Sequence, residues 1–211
     1  GILTQDVPRE IDLNAVDQYL TLQYVPAPLT GFKNIFKLEQ ASFFTFNLKT
    51  KEFNTEKYWD FPFDEKKTCN KKEWMKQIEH CIDKSVQRRM LASDGEVGSF
   101  LSGGVDSSAV VAFASRYKDN LKTFTIKFDE KDFDESEYAK SVAEQYNTEH
   151  NNFTVTPKDM QKAIEKIVYQ YEEPYADVSQ LPTYILAQKT SEKVKVVLNG
   201  DGGDENFAGY D

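Results

Sequence analysis

The chain has 211 residues, 39% of them hydrophobic, enough for one substantial core with a small appended element. A net charge of −9 argues against a nucleic-acid binder, whose usual mark is a basic face. No run approaches the ~18 apolar residues of a membrane span, two cysteines (Cys69 and Cys81) indicate neither a disulfide framework nor a zinc site, and two histidines (His80 and His150) are too few for a histidine-built metal centre.

In chain order, 14–24 reads as a short helix and the aromatic-rich stretches 42–47 and 52–59 as a hairpin. Residues 64–70 are polar and lysine-rich, a connector. Over 72–89, Trp74, Ile78, Ile82 and Val86 recur at helical spacing and predict a core-facing stripe, with Cys81 on the same buried side. Alternation follows: strand 97–101, helix 106–118, strand 122–128, helix 136–146, strand 150–155. The acidic loop 129–135 lacks the glycine and spacing of a calcium site. It reads as a solvated turn with Asp134 as N-cap and Glu137 at the third helical position. Thr156-Pro157-x-Asp159 starts a helix whose buried side is expected to carry Met160, Ile164, Ile167, Val168 and Tyr171. A helix at 182–192 and a strand at 194–198 complete the series. This alternation predicts an α/β fold: an open, mostly parallel sheet with helices on both faces, preceded by a small N-terminal helix and hairpin.

Two stretches carry the chemistry: Ser102-Gly-Gly-Val-Asp-Ser-Ser108 and Asn199-Gly-Asp-Gly-Gly-Asp-Glu205. Each follows an apolar run that reads as a buried strand, and open α/β sheets bind ligands at the carboxyl ends of their strands. Gly103 and Gly104 let the backbone turn sharply and approach a ligand closely. The helix-compatible run after them makes the turn an anion site, with Ser102, Ser107 and Ser108 as added hydroxyl donors. A lone Gly-Gly turn, capped by Asp106 and Ser107, would need no ligand; the seven residues together, placed after a strand, point to a nucleotide phosphate. Asp106 would repel that phosphate unless magnesium lies between them. No Walker G-x-x-x-x-G-K-[ST] occurs, nor a G-x-S-x-G elbow that would make a serine the nucleophile.

Leu101-Ser-Gly-Gly-Val-Asp-Ser-Ser108 resembles the pyrophosphate loop of the ATP pyrophosphatases, S-G-G-x-D-S. Asn199-Gly-Asp-Gly-Gly-Asp-Glu-Asn-Phe-Ala-Gly-Tyr210 narrows the resemblance to the asparagine synthetases, whose motif is close to S-G-[ED]-G-x-D-E-x-F-x-G-Y. Tyr24-Val-Pro-Ala-Pro28, Phe32-Lys-Asn-Ile-Phe-Lys-Leu38 and Tyr58-Trp59 are similar to the segment joining that family's two domains. Glu172-Glu-Pro-Tyr-Ala-Asp177 and Leu181-Pro-Thr-Tyr184 match the stretch ahead of the last motif, so the likeness covers nearly the whole chain.

The resemblance implies an adenine nucleotide alpha hydrolase-like core over 64–211, C-terminally truncated, with 1–63 a remnant of the interdomain segment. It implies an ATP-dependent ligase of asparagine biosynthesis that activates a carboxylate, aspartate first among candidates, as an acyl-adenylate and then amidates it. Adenine is expected near Leu101, Ile126 and Gly200, and pyrophosphate on Ser102, Gly103, Gly104, Ser107 and Ser108. Asn199 stands where the family's motif has serine, with a contact to the nucleotide expected. The implied cofactors are ATP and magnesium, the latter on Asp106 and Asp204, and Asp201 joins these two as the catalytic carboxylates. Asp201 stands where many members carry glutamate, one methylene shorter, which loosens the choice of aspartate more than it loosens amide formation. Ammonia would come from a glutaminase domain whose N-terminal cysteine has no counterpart in Gly1-Ile2-Leu3. The resemblance also implies an acceptor pocket and basic residues in a helical portion beyond residue 211, so the chain alone is expected to bind ATP or AMP weakly and to make no amide. Other expectations are a cytoplasmic location, no nucleic-acid or membrane partner, and compatibility with a homodimer. Alternatives are an amidotransferase for another carboxylate, a thiolation or GMP-synthetase type enzyme (disfavoured by the 199–210 motif), and a non-catalytic nucleotide-binding module.

Overall fold

The computed structural model describes residues 2–62, 68–128 and 134–209, which divide into two units. The first combines the described residues up to Thr68 with Glu165–Val178. Its helix α1 (Leu13–Leu22) starts where the Asp12 carboxylate accepts the Asn14 N–H at 2.9 Å and ends at Gln23 with φ 66°. The strands β1 (Ser42–Phe46) and β2 (Phe53–Lys57) pair antiparallel, with Phe46 opposite Phe53 and the Phe44 and Phe53 rings 5.1 Å apart. Ala15, Val25 and Ile167 are its buried apolar residues among those described, and Lys37 pairs with Glu173 at 2.6 Å.

The second unit, Cys69–Ile164 with Ser179 onward, holds the sheet. Helix α2 (Lys71–Leu91) leads to β3 (Val97–Phe100), α3 (Val105–Ala114), β4 (Lys122–Phe128), α4 (Ser136–Gln145) and β5 (Glu149–Val155). Helix α5 (Pro157–Tyr171) begins in this unit; α6 (Gln180–Thr190), β6 (Val196–Leu198) and α7 (Gly203–Phe207) follow. The strands run parallel in the order β5-β4-β3-β6. Strand order reverses at β3: the chain proceeds outward through β4 and β5, then returns to place β6 on the other side. That reversal is a topological switch point, where open sheets leave a crevice at the carboxyl edge.

Side-chain alternation assigns the two faces. Val97, Leu101 and Leu198 point to one face and pack with Val86 of α2, Val111 and Ala114 of α3, and Ala139 and Ala143 of α4. Phe100, Phe124, Ile126 and Val197 point to the other, against Leu186 of α6. Gly98 lies on this second face because the Phe124 ring covers it: a Cβ there would sit 2.6 Å from the ring. The α/β sheet with helices on both faces is the architecture the sequence predicts.

Several expectations need correction. Cys81 is exposed, as are Trp74 and Ile78, while Ile82 and Val86 do reach the core. Helix α2 has 21 residues and its partner α3 has 10, so the N-terminal half of the stripe extends past the end of α3. Helix α3 stops at Ala114 rather than 118, where Arg116 and Tyr117 donate to carbonyls three residues back and tighten the last turn. The buried line of α5 is Ala163 and Ile167, the latter as expected; Ile164, Val168 and Tyr171 are exposed, so the buried face is turned toward Ala163 by less than one residue step. The last strand is shorter than 194–198, because the Val194 N–H still bonds to the Thr190 carbonyl. Residues 129–133 of the acidic loop and 64–67 of the connector lie outside the described residues. Asp134 does accept the Ser136 N–H at 3.1 Å, although α4 begins one residue later than its cap position requires.

Candidate functional site

Beyond Phe100, β3 extends one more rung as the Leu101 N–H donates to the Phe124 carbonyl at 2.9 Å. The chain then turns through Ser102–Gly104 into α3. Gly103 makes the turn at φ 92°, pressed so closely on α4 that a Cβ would fall 2.6 Å from Tyr138 Cβ. A web of short contacts fixes the loop: Ser102 Oγ and Ser107 Oγ are 2.9 Å apart, the Gly104 N–H donates to Ser102 Oγ at 3.2 Å, and the Ser102 N–H donates to Ser107 Oγ at 3.2 Å. The loop is thus pre-set, and the N–H groups of the first turn of α3 have no acceptor within the helix.

The loop after β6 lies directly on that turn. A Cβ on Gly200 would stand 2.7 Å from the Ser107 nitrogen, and one on Gly203 would stand 2.5 Å from Asp106 Oδ2. Glycine at both positions is what lets the two loops touch. Between the loops and the sheet is a cavity of about 820 Å³. Leu101, Ser102, Gly104, Asp106 and Ser107 line it from the first loop, Ile126 from β4, and Asn199, Gly200, Asp201 and Asp204 from the second. The structure therefore gathers nearly all the residues that the sequence singled out. Gly103 and Ser108 do not line it: Gly103 supports the turn from behind on α4, and Ser108 Oγ is buried without a hydrogen-bond partner.

The cavity has two ends. Phe100, Phe124, Ile126, Phe128, Pro182 and Leu186 make an apolar part suited to a flat aromatic base. Asp106, Asp201, Asp204 and Glu135 make the polar part acidic, and no lysine or arginine is among the described residues that line it. Sequence reasoning missed the contributions of Phe128, Glu135 and the α6 residues Pro182, Thr183 and Leu186. Position at the carboxyl end of β4 could have flagged Phe128, but the α6 residues reach the cavity only through the crossover from β5 to β6.

A second cavity of about 710 Å³ lies on the other side of the 199–203 loop, bounded by α2 and α3 and including Arg89, Ser85 and Val110. The two cavities share Asp106, Asn199, Gly200, Asp201, Gly203 and Phe207, so this loop is the partition between them. On the partition the Asn199 side-chain amide donates to Asp201 Oδ2 at 2.7 Å.

Among the described residues no three histidine, cysteine or acidic side chains gather into a metal cage, and no helix is long and apolar enough to cross a membrane.

A glycine-rich turn feeding a helix N-terminus, placed beside an acidic glycine-rich loop at the switch point of a parallel sheet, defines a nucleotide-phosphate-binding α/β domain. The sequence model of the asparagine synthase family matches residues 77–211, and the chain belongs to that family. A candidate asparagine synthetase (glutamine-hydrolyzing) 2 of Methanocaldococcus jannaschii is 39% identical over 202 residues, covering 95% of this chain and 39% of that protein. Asparagine synthetase (glutamine-hydrolyzing) 1 of Bacillus subtilis is 35% identical over 201 residues, covering 95% of this chain and 31% of that protein. The chain thus spans well under half the length of these relatives. Among solved structures, the glutamine-dependent NAD+ synthetase from Acinetobacter baumannii matches with a TM-score of 0.48 at 15% identity, over 80% of this chain and 31% of that one.

Proposed function

We propose that the chain is the ATP-binding core of an amide-forming ligase that activates a carboxylic acid as its acyl-adenylate. The observation that carries this reading is the contact between the 102–108 and 199–204 loops around one cavity with an apolar end and an acidic end. A carboxylate oxygen of the acceptor attacks the α-phosphorus of ATP; the bond to the bridging oxygen breaks and pyrophosphate leaves with the electron pair. Ammonia then attacks the acyl carbon, AMP departs, and the amide remains after loss of a proton. Aspartate is the acceptor that the resemblance favours.

Leu101 and Ile126 would flank the adenine, and the amides at the start of α3 with Ser102, Gly104 and Ser107 would receive the phosphates. The acidity of the cavity bears on the cofactor. With no basic side chain among the described residues that line it, backbone amides and a bound cation are the groups that would meet the triphosphate. Magnesium fits, because it is usually held by one or two carboxylates together with phosphate oxygens rather than by an all-protein cage. Asp106, wedged against Gly203, and Asp204 would hold it. When bound it neutralises charge on the leaving pyrophosphate. The chain's own work would be to hold the nucleotide in line with the acceptor, and Asp201, on the partition, would act beside the adenylate.

The test offers the intact protein ATP, magnesium, ammonium and a panel of carboxylic acids, and follows AMP and acyl-adenylate by mass spectrometry, with hydroxylamine as trap. Acid-dependent AMP release together with an amide or hydroxamate is expected. ATP cleavage to ADP, or no dependence on any acid, refutes the reading.

A further inference from the structure

Asp201 stands on the partition between the two cavities, exposed, in a loop that carries three glycines between 200 and 203. A short carboxylate on such a backbone has several rotamers open to it, and only some present an oxygen to the nucleotide cavity. One contact restricts that choice: the Asn199 amide, which donates to Asp201 Oδ2 at 2.7 Å and leaves the second oxygen, Oδ1, unclaimed by that bond. The bond joins residues on either side of Gly200, the residue in contact with the start of α3. The backbone between them is therefore held in place.

From this geometry we infer that Asn199 is a positioning residue, whose side-chain amide fixes the Asp201 carboxylate toward the reacting centre of the proposed adenylation. The inference rests on that proposed function. Asparagine suits the task because its Nδ2 carries two N–H donors and stands one bond further from the backbone than a serine hydroxyl. Aspartate in turn is one methylene shorter than glutamate. A longer donor and a shorter acceptor add to the same combined reach as a shorter donor and a longer acceptor, so the two positions are coupled through one length. Hydrogen bonds to charged groups are the strong ones, and losing this one should cost about 10- to 100-fold in the step that Asp201 serves.

The experiment is a double-mutant cycle in the intact protein, Asn199→Ser, Asp201→Glu and the pair, read as kcat and KM for acid-dependent AMP release. Each single change is expected to lower kcat about 10- to 100-fold with little effect on the KM for ATP, and the pair should regain most of the loss. Asn199→Asp adds a pH readout. Only its protonated form can donate, so its activity relative to the unchanged protein should rise as pH falls. Additive losses in the pair, a fall confined to the KM for ATP, or a flat pH ratio for Asn199→Asp would each overturn the positioning role. Absence of acid-dependent AMP release in the unchanged protein refutes the proposed function instead, which keeps the two failures distinct.

Discussion

Gly103→Ala tests whether the phosphate loop is held in a shape that only glycine adopts. Two costs can be worked from the structure. At φ 92° an alanine occupies a backbone region that side chains rarely enter, at about 1–3 kcal/mol. Its Cβ would also fall 2.6 Å from Tyr138 Cβ and 2.7 Å from the Ala139 nitrogen, and Ala139 is fully buried in α4, so the neighbour cannot yield freely. Overpacking of this kind costs about 1–3 kcal/mol, giving about 2–6 kcal/mol together if the loop keeps its shape. If the loop relaxes instead, part of that cost disappears but the Ser102–Ser107 contacts and the amide cradle go with it. Urea unfolding followed by circular dichroism, paired with calorimetric titration of ATP and magnesium, separates the outcomes. Stability must fall, or nucleotide binding must weaken. For the stability arm Gly104→Ala is the control, since its Cβ would meet only Ser102 Oγ at 3.3 Å. A Gly103→Ala protein within about 0.5 kcal/mol of the parent, an ordinary surface effect, and with unchanged ATP binding would refute the reasoning.

Asp106→Asn and Asp204→Asn should each abolish acid-dependent AMP formation in the intact protein while leaving its circular dichroism unchanged, because a neutral amide lacks the charge that holds magnesium beside pyrophosphate; normal AMP production by either mutant removes that residue from the cation site. Burial holds the His150 imidazole pKa below its ordinary value, with the Asn152 hydrogen bond offsetting part of the shift. The unfolded chain therefore takes up the proton first, and stability, full at neutral pH and above, declines as pH falls from about 6.5 toward the lowered folded value. His150→Gln should flatten that slope in pH-dependent unfolding, and an unaltered slope would contradict it. Thr156 Oγ1 donates to Asp159 at 2.6 Å and receives the Asp159 N–H at 3.3 Å, so Thr156→Ala should cost about 0.5–2 kcal/mol in urea unfolding. The Asp159 carboxyl is held below its usual value chiefly by the Thr156 hydroxyl, and that stabilisation, present above the ordinary carboxylate pKa, disappears as acid protonates it. The mutant should therefore lose less stability on acidification than its parent.

Local signals were the legible ones. The apolar run 97–101 followed by Ser-Gly-Gly announced a strand feeding an anion turn, and the run before Asn199 announced a second, so both loops could be placed on one sheet edge before any coordinates. The Thr156–Asp159 cap was equally readable, since every partner lies within three residues. What could not be read depended on partners distant in the chain. Periodicity gave α2 an apolar stripe, but only the length of α3 decides how much of it is covered, and Trp74 and Ile78 fall beyond that length. In α5 the apolar residues allow two overlapping faces that share Ile167, and packing chose the one with the small Ala163. Pro182 and Leu186 enter the cavity because β6 pairs on the far side of β3, a fact of topology that the sequence leaves open.

That pairing has a consequence for how the chain is made. The Ser99 hydroxyl bonds to the Leu198 carbonyl across 99 positions, and β3 gains its second neighbour only when β6 arrives. A ribosome that has released everything through α5 has delivered three strands of this sheet, with β3 at its edge still open on one side and the apolar Val97 and Phe100 of that strand nearby. An unpaired parallel edge of this kind is a template for wrong partners, and closing so long a loop is slow. The nascent chain is therefore at its most vulnerable just before residue 196 emerges, when a chaperone holding that open edge would raise the yield of folded protein.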